Sequence, residues 1–288
     1  MNERNKIEDF DKYLIDKYGS KIKIAGIKNG KIKQVHTIVK NTKSNPRNLF
    51  VMEGIWAYDM AVQNSVNIDS LFFCSEYLHS VEALKIIEKA VDDGVDCYSV
   101  SSKVFQKISE REKPDGILMI GEMPKHDLED IALTEKSIIV VLDGVEIPGN
   151  IGTIIRTADG AGATGIIICN RRARLTHPKI LKGSQGACFK IPIVECEVEQ
   201  AVKWLKENNF RVYLTDTDAK SNYFDPSYSY RTAFVAGSER YGITREWYDS
   251  DFDKISIPML GSCDSLNVAV STSIVLYEIS MKINGIKI

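Results

Sequence analysis

The stretch VLDGVEIPGNIGTIIRTADGAGATG, residues 141–165, ends in GAGATG and so matches the Gly-x-Gly-x-x-Gly spacing of a dinucleotide-binding loop. Such a loop works only where the glycines leave a strand and open a helix. The pyrophosphate then sits on the helix N-terminus, and an acid roughly 20 residues on takes the ribose. The periodicity here runs the other way. Ile151, Ile154, Ile155 and Ala158 fall at i, i+3, i+4 and i+7, one buried helix face, so Gly160 and Gly162 end a helix and turn into the strand GIIIC, 165–169. No Asp or Glu occurs from 160 to 194 to serve as the ribose acid. The spacing argues against a nicotinamide or flavin enzyme.

Other phosphate and nucleophile motifs fail as well. GIKNGKI, 26–32, is one residue short of a phosphate-binding loop and lacks its Ser or Thr. AGSERYG, 236–242, is not the Gly-x-Ser-x-Gly elbow of a hydrolase. The six cysteines form no CxxC and the four histidines stand apart, which predicts reduced thiols in a cytoplasmic protein and no metal site. The opening MNERNKIEDF has no apolar core of a secretory signal, and no apolar run reaches membrane-spanning length.

Working outward, strands alternate with helices along the chain, predicting an α/β protein with mostly parallel sheets. Helices are expected at 7–18 and 33–41, followed by strand–helix alternation from 48 to 122. The polar stretch MPKHDLEDIALTEK reads as a linker, 123–136, between an N-terminal domain, 1–122, and a C-terminal domain, 137–288. The second domain opens with SIIVVLDG, a β-branched run suited to a buried parallel strand. The net charge is only −2, yet residues 17–47 hold nine basic residues and no acidic one. Residues 160–194 hold six more, again without an acid. Acid-free basic segments in a slightly acidic chain predict a polarised surface and a polyanionic partner. Lys21, Lys23, Lys33, Lys40, Lys43, Arg47, Arg171, Arg172 and Lys182 are the candidate contacts.

Three segments carry the remaining signal. In GVEIPGNIG, Asn150 reads as a helix N-cap, and Arg156 lies off the isoleucine face about one and a half turns later. An open helix N-terminus and a guanidinium together can hold an anion. In FVAGSERYGI, 234–243, a Gly-Ser that lets backbone approach a ligand is followed by Glu239. In ISIPMLGSCDSLNVAVSTSIVLYEI, 255–279, Ser265 reads as the N-cap of the last helix, with Asn267 in its first turn. The small residues of that helix suit close packing on neighbouring backbone.

In order and separation these segments resemble the three signature motifs of the SpoU/TrmH branch of the SPOUT RNA methyltransferases. VVLDGVEIPGNIG, KILKGSQGACFKIPIV and VFQKISEREKPDGILMIGEMP look most like the thiostrepton/nosiheptide-resistance type of 23S ribosomal RNA 2′-O-methyltransferase. The resemblance implies a C-terminal domain with a deep trefoil knot, S-adenosylmethionine as cofactor, a homodimer and a smaller N-terminal RNA-binding domain similar to the L30e fold. It places Asn150, Arg156, Glu239, Ser265 and Asn267 at the reaction centre, and Leu214, Thr215, Gly237, Ile257, Met259 and Leu266 around the cofactor. Two departures stand out: Arg240 replaces the glycine that usually follows the motif glutamate, and Gln185 stands where the resistance type carries a functional arginine. A non-catalytic RNA-binding protein with a vestigial methyltransferase domain is the alternative, which the intact Asn150/Arg156 and Ser265/Asn267 pairs speak against.

Overall fold

The computed structural model describes residues 10–286. Two compact units divide the chain between Pro124 and Lys125. The first contains α1 (Phe10–Tyr18), β1 (Ile22–Ile24), α2 (Gly30–Lys40), β2 (Leu49–Glu53), α3 (Ile55–Gln63), β3 (Ile68–Phe73), α4 (Val81–Asp92), β4 (Asp96–Ser99), α5 (Ser102–Ile108) and β5 (Ile117–Glu122). The expected start of α1 at residue 7 lies outside the described residues.

The sheet of this unit has the order β1-β4-β3-β5-β2, and it is mixed where a mostly parallel one was expected. β5 runs antiparallel to both β2 and β3. Hydrophobic periodicity marks a strand but carries no sign of its direction. The three-residue edge strand β1 was also not expected, since a run so short has no readable period. α2 starts three residues before the expected position because the Asn29 side chain accepts from the Lys31 N–H and caps it.

The second unit contains β6 (Ser137–Asp143), α6 (Pro148–Gly160), β7 (Gly165–Cys169), α7 (Pro178–Ser184), β8 (Ile193–Glu195), α8 (Val198–Glu207), β9 (Arg211–Thr215), β10 (Arg231–Gly237), α9 (Arg245–Tyr248), β11 (Asp253–Ile255) and α10 (Val268–Asn284). Its six strands are all parallel, in the order β11-β9-β10-β6-β7-β8. All seven residues of β6 are buried, as a central strand covered on both faces requires. In GAGATG, Gly160 is the last residue of α6 and Gly165 the first of β7, and between them Gly162 takes the left-handed turn at φ +73°.

Residues 125–136, read from their polarity as linker, pack with the second unit. His126 bridges to Val194, Asp127 and Asp130 cap a short 3₁₀ turn, and Ile131 is buried among Ile139, Val141 and Ile167. Leu128 and Leu133 pack partly buried against the same cluster, but three apolar anchors spaced among polar residues leave too weak a pattern to read.

Helix packing around α6 depends on small residues. A Cβ on Gly152 would stand 2.8 Å from the Ile180 carbonyl oxygen, so α7 lies directly on α6 backbone. On its other side α10 approaches closely, with Ser273 Oγ 3.2 Å from Thr157 Oγ1 and Ser280 Oγ donating to the Ala161 carbonyl at 2.7 Å. Gly152→Ala is therefore expected to lower stability by about 1–3 kcal/mol through overpacking. Gly149→Ala on the same helix, where a Cβ meets nothing within 4 Å, should leave stability unchanged or raise it slightly. Thermal melting of the two variants checks the contrast.

Candidate active site

Strand order in the second unit reverses at β6. From β6 the chain proceeds through β7 and β8 on one side, then returns to build β9, β10 and β11 on the other. The crevice at the carboxyl ends of β6 and β10 is thus the topological switch point, where open parallel sheets bind ligands. Gly237 and Asp143, the last residues of these strands, are register partners.

Asp143 is fully buried and its carboxylate is satisfied from two directions. Asn170 Nδ2 donates to Oδ1 at 2.7 Å, and the Thr244 backbone N–H donates to Oδ2 at 2.7 Å. A buried carboxylate without such donors would be strongly destabilising. The side chain therefore ties the end of β6 to the loops after β7 and β10. Nothing in the sequence pointed to it, because its partners lie 27 and 101 residues away.

Above this anchor three motif segments meet. Asn150 Nδ2 donates to Glu239 Oε1 at 2.5 Å, and Asn267 Nδ2 donates to Asn150 Oδ1 at 3.3 Å. Asn267 is also the N-cap of α10, its Oδ1 accepting from the Ala269 N–H at 2.9 Å. Two cap expectations are corrected here. α10 is capped by Asn267 and not by Ser265, since the chain becomes helical only at Val268. α6 begins at Pro148 after Ile147, which puts Asn150 inside the first turn and frees its amide to bridge Glu239 and Asn267.

Arg156 is exposed on α6 and makes no hydrogen bond or ion pair with the described residues. Gly237 allows a close approach within its own chain. A Cβ there would lie 2.3 Å from the Gly242 carbonyl carbon, so the glycine permits its own loop to fold back. That loop closes through paired backbone hydrogen bonds between Ser238 and Gly242.

A pocket opens between the carboxyl ends of β9 and β11 and the segment before α10. Of the expected cofactor residues, Thr215, Ile257, Met259 and Leu266 line it, together with Ser265. Leu214 does not, being fully buried in the core, and neither does Gly237. Asp216 and Asp264 also line the pocket and were not anticipated. Tyr248 donates to Asp216 Oδ2 at 3.1 Å. Burial, then the adjacent Asp216 charge, pushes the Tyr248 hydroxyl up to about 12, so it remains a donor at neutral pH.

The basic segments are less polarised than their sequence implies. Lys17 pairs with Glu88, Lys23 with Asp96, Lys31 with Asp69, and Arg47 with both Asp69 and Glu122. Lys21, Lys33, Lys40 and Lys43 are exposed without an ion pair among the described residues. In the second unit Arg171 pairs with Glu195 and Lys190 with Asp159, whereas Arg172 and Lys182 are exposed and unpaired among the described residues. No group of three or more potential metal ligands and no helix long and apolar enough to cross a membrane occurs among the described residues.

Known proteins match both units. Residues 137–277 match the SpoU rRNA Methylase family, and residues 29–119 match the MRM3-like substrate binding domain. The 23S rRNA (guanosine(2553)-2′-O)-methyltransferase RlmP of Bacillus subtilis is 29% identical over 259 residues, covering 89% of this chain and 98% of the relative. The 23S rRNA (uridine(2479)-2′-O)-methyltransferase of Streptomyces viridochromogenes is 27% identical over 267 residues, covering 90% of this chain and 92% of the relative. Among solved structures, the AdoMet-bound rRNA methyltransferase of Sinorhizobium meliloti superposes with a TM-score of 0.82 at 28% identity, covering 90% of this chain and 97% of that one. With its switch-point crevice and its three joined motif segments, the second unit carries over residues 137–277 a domain of the SpoU rRNA Methylase family.

Proposed function

We propose that this protein methylates a ribose 2′-hydroxyl of ribosomal RNA, most naturally 23S rRNA, with S-adenosylmethionine as methyl donor. The observation that carries the reading is the hydrogen-bonded junction Glu239–Asn150–Asn267, which draws three distant segments to the mouth of one crevice. S-adenosylmethionine supplies an electrophilic methyl group on a sulfonium centre. The pocket beside the junction suits that molecule: Ile257, Met259 and Leu266 offer apolar walls, and Asp216 and Asp264 offer negative potential to a cation. No Lys or Arg lines it among the described residues. The threaded knot implied by the motif resemblance belongs to the same reading.

The nucleophile, a ribose hydroxyl, is weak: as its oxygen bonds the methyl carbon, the carbon–sulfur bond breaks, the neutral thioether S-adenosylhomocysteine leaves, and the hydroxyl proton passes to water. Arg156 is the group to stabilise the charge that develops, by gripping the neighbouring phosphate and facing the nascent alkoxide. It does not act as a base, because a guanidinium does not deprotonate in proteins. The Glu239–Asn150–Asn267 network holds the α6 N-terminal turn against the motif loops, so that donor and acceptor atoms meet in line. The first unit supplies affinity, with Lys21, Lys33, Lys40 and Lys43 as unneutralised contacts for phosphate. Two further features of the reading are a homodimer and, through the resistance-type resemblance, protection against thiopeptide antibiotics. An uncovered apolar stripe on α10, Val270 at 49% and Tyr277 at 41% exposure, supports the dimer.

The reading is tested by incubating the protein with labelled S-adenosylmethionine and 23S rRNA and mapping any methylated ribose. Absence of transfer to any rRNA fragment overturns it. Arg156→Ala is expected to melt within about 0.5 kcal/mol of the wild type, as an exposed unpaired side chain should. Its single-turnover methylation should nevertheless fall by a factor on the order of 100 or more, the loss typical of a transition-state donor. Arg156→Lys should recover little, since an ammonium lacks the planar fork.

Charge neutralisation gives an independent check. Replacing Lys33, Lys40 and Lys43 together by Gln should reduce the slope of log affinity for RNA against log salt by roughly 2–3, because each phosphate that no lysine neutralises keeps its counterion. Lys23→Gln, removing a charge already paired with Asp96 at 2.6 Å, should change the slope much less.

A further inference from the structure

We infer that Arg240 and Tyr241 form a nucleotide-gripping tip beside the reaction centre, with Tyr241 stacking on a base next to the target ribose and Arg240 holding an adjacent phosphate. The inference rests on the methyl-transfer reading above, and its test separates the two.

The tip is rigid before any RNA arrives. Ser238 and Gly242 exchange backbone hydrogen bonds at 3.0 and 2.9 Å, closing a five-residue loop. The Ser238 hydroxyl oxygen accepts from the Arg240 and Tyr241 backbone N–H groups at 3.2 and 3.3 Å. Gly242 takes the left-handed turn at φ +69°, and Gly237 leaves the room that the returning chain needs. A loop so tied presents its side chains without a large ordering cost on binding.

The presented side chains have the chemistry of a single-stranded nucleotide site. Tyr241 is 68% exposed, the most exposed aromatic among the described residues. The Arg240 guanidinium lies over one face of its ring, 5.2 Å from the centroid, which leaves the other face to solvent. A cation on one face and a free π-surface on the other is the arrangement on which bases stack without sequence preference. Arg240 itself has no ion pair among the described residues. Its neighbour Glu239 is turned away to Asn150 at 2.5 Å, so the guanidinium charge stays available to phosphate. The remaining loop residues are Ser, Glu and Gly, which offer no apolar surface for a protein partner.

Position makes the pair specific to the substrate. Glu239 joins the junction and Arg240 follows it directly, so an RNA strand whose ribose reaches Asn150 and Glu239 passes the tip within one nucleotide. Arg240 stands where the motif resemblance leads one to expect glycine, and the pair is therefore a feature of this chain's own substrate handling.

The test measures steady-state methylation and equilibrium binding of protein-free 23S rRNA, with cofactor calorimetry and sedimentation mass on the same preparations. Tyr241→Ala is expected to raise KM and the RNA dissociation constant by about 10-fold or more, the effect of losing one base stack. The turnover number, cofactor affinity, melting temperature and mass should stay close to wild type. Tyr241→Phe should keep the wild-type KM, because stacking needs the ring and not the hydroxyl. Tyr241→Trp should add an emission component, absent from the wild type, that RNA quenches. Arg240→Ala should weaken RNA binding and reduce its salt slope by roughly one. Unchanged KM and RNA affinity in Tyr241→Ala overturn the inference. So does a fall in sedimentation mass, which would assign the tip to a contact between copies of the chain. If the wild type methylates no rRNA the function proposed above fails, while the binding and quenching measurements on the same RNA still decide the role of the tip.

Discussion

The parallel pairing of β10 with β6 is the constraint on which the rest of the second unit depends. Seven residues match in register, from Arg231↔Ser137 to Gly237↔Asp143. Because the strands are parallel, both carboxyl ends open on the same edge of the sheet, and the segments that follow them emerge side by side. One segment opens α6, whose first turn carries Asn150; the other is the loop carrying Glu239. Their 2.5 Å hydrogen bond spans 89 residues of sequence and follows from that register. Asp143 secures the arrangement from below, since an unpaired carboxylate at that depth would be costly and its two donors come from the loops to be held.

Polarity then passes in one direction through the junction. The Asn267 Oδ1 is committed to the Ala269 N–H as the cap of α10, so its Nδ2 must face Asn150. The Asn150 Oδ1 is thereby used as an acceptor, and its Nδ2 faces the Glu239 carboxylate. An aspartate at either position would put two acceptors together, and a leucine at 150 would leave Glu239 without its donor. Helix capping, usually a matter of local stability, here sets the orientation of groups at the crevice. Arg156, on the same helix as Asn150 but outside the network, keeps its guanidinium free for a partner from solution.

Surface charge is redistributed by folding in a way that composition conceals. The acid-free segment 17–47 borrows its counter-charges from Asp69, Glu88, Asp96 and Glu122. What remains unneutralised among the described residues is a smaller set, Lys33 and Lys40 on α2 with Lys28 just before it and Lys43 just after it, and Lys21 just before β1. The exposed pairs of this segment, such as Lys23–Asp96, contribute little to stability. They do decide which lysines still attract a polyanion.

Local patterning was enough to read the α/β class, the helix face of Ile151, Ile154, Ile155 and Ala158, and the true sense of the glycine run. These depend on residues within one or two turns of each other. The three motif segments were legible too, as residue types in order. Strand direction was not, and β5 proved antiparallel to its neighbours because direction is a property of the pairing partner. Nor were the roles of particular polar atoms. Asn150 and Ser265 looked like caps because a cap is the commonest local use of such residues, and only the approach of Glu239 and Asn267 from elsewhere gave Asn150 another. Asp143 and Asp216 carry no local signature at all, and Arg240 showed in the sequence only as a departure from the motif glycine. Sequence determines which groups are present and which face of each element is buried, whereas a hydrogen bond or an ion pair needs two partners within about 3–4 Å. Across 89 or 101 residues, tertiary structure alone supplies that distance.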